Sequence, residues 1–257
     1  MISPQDREHE EKTRSASAAS HVNPKLVLSN EIIARYLAPS EHADFPLEYA
    51  FHLLGDVNGK IVLEYGCGDG LNTIVLSARG AKVIGLDISP ELLELAKQRL
   101  IANQVCGTML LLGSAHALPL QDESVDVIFG IAILHHLDLE AASREVQRVL
   151  KKGGRGIFEE PLRNSKLMTQ IRRLFPQRAD VSPFERPLTD HEIKDFAQPC
   201  QYREKTFQLL LSRLVTLVPF LGAVSSRVCN HIDTILLRLF PSLTYYGSVK
   251  IFEITKH

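Results

Sequence analysis

The chain has 257 residues, 45% hydrophobic and 23% charged, enough for one large domain with insertions or at most two domains. A formal net charge of -1 and a pI near 6.8 leave no surplus of bases for a nucleic-acid backbone, so no nucleic-acid partner is expected. The cysteines Cys67, Cys106, Cys200 and Cys229 form no CxxC pair and no short Cys/His spacing, which argues against a metal site or disulfide framework and for a reducing, cytoplasmic setting.

The chain opens on MISPQDREHEEKTRSASAAS, polar throughout and without the apolar core of a secretory signal; residues 1–22 read as a flexible tail. PKLVLSNEIIARYL and FPLEYAFHLL, within residues 23–57, read as helices. KIVLEYG is a buried strand, LNTIVLSARG a helix closed by glycine, and AKVIGLDI a second strand. SPELLELAKQRLIANQ carries helix signals: Ser89 as cap, Pro90 at the first position, Glu91 in the first turn, and Leu92, Leu95, Ala96 and Leu100 along one face. GTMLLLG and SVDVIFGIAIL are the third and fourth strands. DLEAASREVQRVLKKGG reads as a helix through Leu150 with Lys151 and Lys152 in its last turn, and RGIFEEP as the fifth strand. Strands alternating with helices specify a parallel sheet covered on both faces.

Further on, LRNSKLMTQIRRLFPQRADVSPFERPL is a proline-punctuated crossover, and LTDHEIKDFA begins a helix with a Thr189 to Glu192 capping box. REKTFQLLL fits a sixth strand, while Phe207, Leu210, Leu211, Leu214 and Val218 also fit helical spacing. Val228, Ile232, Ile235, Leu236 and Leu239 are helical, and YGSVKIFEITK is the closing strand. The most apolar window, Leu209 to Val224, is short and broken by Arg213 and Pro219, so no transmembrane segment is expected.

In such sheets ligands sit at the carboxyl ends of the strands. After the first strand the chain reads GCGDG, a GxGxG spacing that lacks the third glycine of a dinucleotide fingerprint, since that position is Leu71. Asp69 would set a carboxylate beside any pyrophosphate, so the turn suits a ligand with little or no phosphate. Asp87, ending the second strand, is placed to accept both hydroxyls of a ribose. Glu64, inside an apolar strand, is costly to bury without a partner, and a cationic ligand group would supply one.

Taken in order and spacing, VLEYGCGDG, VIGLDIS, SAHALPLQDESVDVIFGIAILHHL and REVQRVLKKGGRGIFEEP resemble the class I S-adenosylmethionine-dependent methyltransferases of the small-molecule type, over roughly residues 45 to 162. The resemblance implies an α/β, Rossmann-like doubly wound sheet of seven strands, mostly parallel with an antiparallel last hairpin and helices on both faces. It implies S-adenosyl-L-methionine as cofactor and S-adenosyl-L-homocysteine as product. Glu64, Gly66, Cys67 and Gly68 would line the methionine end, Asp87 the ribose and Ile88 the adenine. Ser114 and Ala115 would lie beside the adenine, and Gly130 and Ile131 would close the floor. Position 114 departs from the family, which often has Asp there; a serine is a weaker partner for the adenine amino group.

A sulfonium methyl is already activated, so the protein's share is positioning, water exclusion and proton removal. His135 and His136 follow the fourth strand as candidate bases, with capping of the strand end as the alternative. Glu160 is a candidate for orienting the acceptor, and Glu159 alternates to the other face. The [DNS]PP[YF] motif of nucleobase and amide methyltransferases is replaced by GIAI, which favours a small organic acceptor, lipophilic or aromatic. The expected organisation is one methyltransferase domain over residues 23–257. Residues 23–57 would form helices over the cofactor, with Tyr36, Phe45 and Tyr49 as pocket residues. Residues 162–190 would form a lid or substrate wall, with Arg163, Lys166, Arg172, Arg173 and Arg178 either receiving an acidic acceptor or forming a solvated face, and residues 211–243 an apolar insertion for core packing, acceptor cover, membrane contact or dimerisation. A non-catalytic cofactor-binding scaffold and a nicotinamide-dependent oxidoreductase are the competing readings.

Overall fold

A computed structural model describes residues 4–19, 22–166, 170, 186–209 and 222–257. The helices are α1 (Pro4–Ala19), α2 (Asn30–Leu37), α3 (Pro46–Leu54), α4 (Leu71–Ala78), α5 (Pro90–Ala102), α6 (Leu139–Val149), α7 (Asp190–Ala197) and α8 (Gly222–Leu239). The strands are β1 (Ile61–Tyr65), β2 (Lys82–Asp87), β3 (Met109–Leu112), β4 (Val125–Ile131), β5 (Leu150–Pro161), β6 (Gln201–Phe207) and β7 (Val249–Thr255). They form one sheet in the order β3-β2-β1-β4-β5-β7-β6, parallel from β3 to β5 and antiparallel where β7 meets β5 and β6. The order reverses between β1 and β4, which opens a crevice at their carboxyl ends.

Period-two alternation divides the strand residues between two cores. Leu63, Tyr65, Ile128, Phe158 and Phe252 pack with Val146 of α6 and Phe196 of α7 on one face. Val62, Val127, Phe129, Ile157 and Ile251 pack with Phe51 of α3 and Leu76 of α4 on the other. Both faces being covered explains why the strands read as near-continuous apolar runs. The helix signals hold: the Ser89 side chain accepts from the Leu92 amide with Pro90 behind it, and Thr189 and Glu192 form a reciprocal capping box.

Three expectations change. The α6 helix ends at Val149, and Leu150, Lys151 and Lys152 begin β5. Leu150 is fully buried and pairs with Val125, while Lys151 Nζ donates to Asp126 at 2.7 Å; the strand partners outweigh the helical stripe. REKTF is strand, with α8 starting only at Gly222; residues 210–221 lie outside the described residues. Residues 4–19, expected as a tail, are helical, because their acids find partners on the domain.

Tyr36, Phe45 and Tyr49 do not reach the crevice. Tyr36 stacks against Phe51, Tyr49 against Phe207, and Phe45 lies under Arg35, so α2 and α3 complete the second core instead. Of the lid bases, Arg163 pairs with Glu192 at 3.1 Å, and Arg172, Arg173 and Arg178 lie outside the described residues.

Candidate functional site

The turn after β1 is built from backbone. Gly66 and Cys67 donate their amides to the Leu86 carbonyl at 3.0 and 2.8 Å, which ties the turn to the end of β2. The Gly70 Cα approaches α5 so closely that an added Cβ would lie 2.9 Å from Ala96 Cβ. At Gly68, φ is +49° and an added Cβ would meet nothing within 4 Å: this glycine opens a cradle toward the crevice. Its amide donates to Asp87 Oδ2 at 2.8 Å, and the Ser89 amide donates to Asp87 Oδ1 at 2.9 Å. Asp87 thus faces the cavity with acceptor capacity left for a ligand. Burial pushes the Asp87 carboxyl up.

Above the turn lies a cavity of about 190 Å³. Of the residues the sequence singled out, Gly66, Gly68, Asp87, Ile88, Ala115, Ile131 and His136 line it. Leu86, His116, Ala132, Ile133 and Leu137 complete one side, and Glu8, Glu11 and Ser15 of α1 the other. Ala132 holds φ +54°, a left-handed conformation unusual for a side-chain-bearing residue and common where a site is shaped. Tyr65 Oη donates to the Ala115 carbonyl at 2.6 Å and holds the loop after β3 in place.

Six expected residues stand outside this lining. Glu64 is buried beneath the turn and receives a hydrogen bond from Thr73 Oγ1, so a side chain of this chain supplies the partner expected from a ligand. Burial, outweighing that bond, pushes its carboxyl up to about 8. Cys67 is buried, and burial raises its thiol. An added Cβ at Gly130 would lie 2.8 Å from Phe158, so this glycine serves packing. Ser114 Oγ donates to Glu8 at 2.5 Å.

His135 and Glu160 form a buried unit. Glu160 accepts from the amides of Ile133 (2.9 Å), Leu134 (2.6 Å) and His135 (3.4 Å) and from His135 Nδ1 (2.7 Å). With its oxygens spent on the short helical turn Leu134–His136, Glu160 holds that turn and does not face an acceptor. His136 lines the cavity, its Nδ1 3.3 Å from Glu11.

Asp69 also differs from expectation. Its carboxylate turns away to Arg99 at 2.6 Å and does not line the cavity; the acids that do are Asp87, Glu8 and Glu11. Among the described residues no lysine or arginine lines it, so phosphate is disfavoured there through other residues than the one the sequence suggested.

The sequence reading missed α1. Glu8 Oε1 accepts from Ser114 and stands 2.8 Å from His116 Nδ1, while His116 Nε2 accepts from the Asp138 amide at 2.9 Å. The ring therefore carries its proton on Nδ1 and donates it to Glu8. These two bonds pull the Glu8 carboxyl below its usual value against the opposing effect of burial. The only sequence signal for this was the spacing of Glu8 and Glu11 three residues apart on a helix-prone segment. Among the described residues no group of three or more His, Cys, Asp or Glu side chains could hold a metal ion.

Residues 63–158 match the family model of a methyltransferase domain. The chain is 39% identical over 111 residues to the demethylmenaquinone methyltransferase of Lactococcus lactis, covering 42% of this chain and 44% of that one. It is 35% identical over 101 residues to the malonyl-[acyl-carrier protein] O-methyltransferase of Serratia marcescens, covering 39% and 38%. The chain thus spans less than half the length of these curated relatives. The geranyl diphosphate C-methyltransferase of Streptomyces coelicolor, solved with S-adenosyl-L-homocysteine, shares the fold at a TM-score of 0.56 and 16% identity, over 81% of this chain and 76% of that one. The segment that carries the glycine turn, Asp87 and the histidine pair is thus similar to a methyltransferase domain.

Proposed function

We propose that the protein transfers the methyl group of S-adenosyl-L-methionine to a small organic acceptor of lipophilic or aromatic character. The observation that carries this reading is the cavity itself: an open glycine cradle at Gly68 beside Asp87, walled among the described residues by carboxylates, apolar side chains and the histidines His116 and His136, with no lysine or arginine. Such a wall suits a cationic, phosphate-free nucleoside ligand and disfavours a dinucleotide.

On this reading Asp87 holds the ribose hydroxyls, Gly66 and Gly68 let the ligand approach the backbone, and Ile88, Ala115 and Leu137 flank the adenine. Glu64, Cys67 and Gly130 support the site from below rather than touching it. Glu8, held at Ser114 and His116, supplies the carboxylate that position 114 lacks. The bound cofactor supplies an activated methyl on a sulfonium; the chain positions the acceptor, excludes water and takes a proton where the acceptor has one to lose.

His136 is the cavity-lining group suited to accept that proton. Glu159, at the end of β5, does not line the cavity. It pairs in register with the cavity residue Ile131, its Oε2 is buried without a hydrogen-bond partner, and burial, reinforced by Glu160, pushes it up to about 7. Apolar Ile131 and Ile133 support a lipophilic acceptor.

The test is transfer of label from methyl-labelled S-adenosyl-L-methionine across quinols, phenols and acyl thioesters. Turnover of one class, with kcat reduced at least tenfold in His136→Gln and cofactor affinity retained, is expected. Cofactor binding without transfer to any class would favour the non-catalytic scaffold instead.

A further inference from the structure

The α8 helix has two faces of unlike character. Asn230, Asp233 and Leu237 are buried, and Asp233 accepts the Leu209 amide at 2.9 Å. On the opposite side Val228, Ile232, Ile235 and Leu239, spaced i, i+4, i+7 and i+11, are 52%, 40%, 43% and 64% exposed. The exposed face is thus more apolar than the packed one, the reverse of a surface helix in a water-soluble domain. Phe240, Tyr245 and Tyr246 extend it, all exposed. Just ahead of α8, residues 210–221 read LLSRLVTLVPFL, with Arg213 as their single charge.

The arginines of α8 lie beside this face. The exposed Arg227 and Arg238 flank the stripe, and the helix's acid, Asp233, is on the buried side. Next to Arg238 a cleft of about 600 Å³ is lined by Arg155, Arg203, Lys205 and Arg238, with Glu41 as the one carboxylate in its lining. Glu253 pairs with Arg155 and Arg203, Glu204 with Lys250 and Asp44 with His231, which leaves Lys205, Arg227 and Arg238 as the bases for an anion among the described residues. Burial and the Arg238 charge hold the Lys205 ammonium below its usual value, so an anion there would relieve crowding of like charges.

We propose that α8 and the turn Pro241–Tyr246 form a docking surface for an anionic lipid bilayer, the apolar stripe entering the headgroup region and the bases receiving lipid phosphates. Two observations select this occupant. No described helix is long and apolar enough to cross a membrane, so the helix lies on the surface. A symmetric dimer through the same face would set each copy's Arg227 and Arg238 rim against its own like charges, whereas an anionic bilayer neutralises that rim. The helix packs along the edge strand β6, and its Asp233 meets Leu209 just past that strand's end. The inference does not depend on the transferase reading.

The test is co-sedimentation of the full chain with equimolar phosphatidylglycerol/phosphatidylcholine vesicles, with pure phosphatidylcholine vesicles, and with glycerol phosphate as soluble competitor. Binding to the anionic vesicles, weakened by salt and little affected by the competitor, is expected. The double variant Ile235→Glu/Leu239→Glu and the variant Arg227→Glu/Arg238→Glu should each reduce partitioning about tenfold or more, with unchanged circular dichroism and S-adenosyl-L-homocysteine binding. Equal partitioning of the variants, absence of binding to either vesicle, displacement by glycerol phosphate alone, or a lipid-free dimer that the same substitutions dissolve would each overturn the proposal.

Discussion

Asp87 and Glu160 are both buried carboxylates at strand ends, and their hydrogen bonds assign them different work. Asp87 accepts one backbone amide on each oxygen and faces the cavity; Asp87→Ala should weaken cofactor binding by about 1–3 kcal/mol through lost ribose hydrogen bonds, read by titration calorimetry. Glu160 accepts four donors, so Glu160→Ala leaves buried N–H groups unpaired and should lower folding stability by about 3 kcal/mol in urea denaturation. Asp87 was legible because it ends an apolar run at a telling distance from the glycines, while the task of Glu160 depends on a turn closing on it from 25 residues away. Glu64 gives a pH prediction. Its carboxyl is raised by burial to about 8, so between roughly pH 4.5 and 8 the folded state keeps a proton that the unfolded state has lost. Stability is then greatest at the acid end and falls as pH rises through about 8; thermal melts across that window should show the fall, and Glu64→Gln should flatten it.

The elements were legible wherever a buried face imposed a period. β1 to β5 and the Ser89 and Thr189 caps follow from alternation and capping chemistry, both local. The end of α6 was not, because Leu150 satisfies helical and strand spacing alike and only its partner Val125 decides. The helix α1 was hidden for a related reason: a polar segment has no apolar period, and its order comes from Ser114 and His116, about a hundred residues away. Its packing rests on polar contacts at the cavity, so removing residues 1–21 should leave the melting temperature nearly unchanged and weaken S-adenosyl-L-homocysteine binding by about 1–3 kcal/mol. Glu8→Gln should show a smaller loss in the same titration, because a neutral acceptor replaces a charged one.

At the scale of the molecule the doubly wound sheet fixes where chemistry can occur, since strand order reverses at β1 and β4 and all the cavity residues of the sheet sit at that edge. That placement was readable from the alternation of strands and helices, a phosphate-free nucleoside ligand from the turn and Asp87 together, and the methyl donor from the resemblance carried by the four motifs. The acceptor was not, because no local period or motif in the sequence specifies it. The central claim is that this crevice holds a phosphate-free nucleoside cofactor against Asp87. Titration calorimetry of S-adenosyl-L-homocysteine into wild type and Asp87→Ala tests it most directly: one site per chain in the wild type, weakened about tenfold or more by the substitution, is the predicted result, and no binding, or equal binding by both proteins, would contradict it.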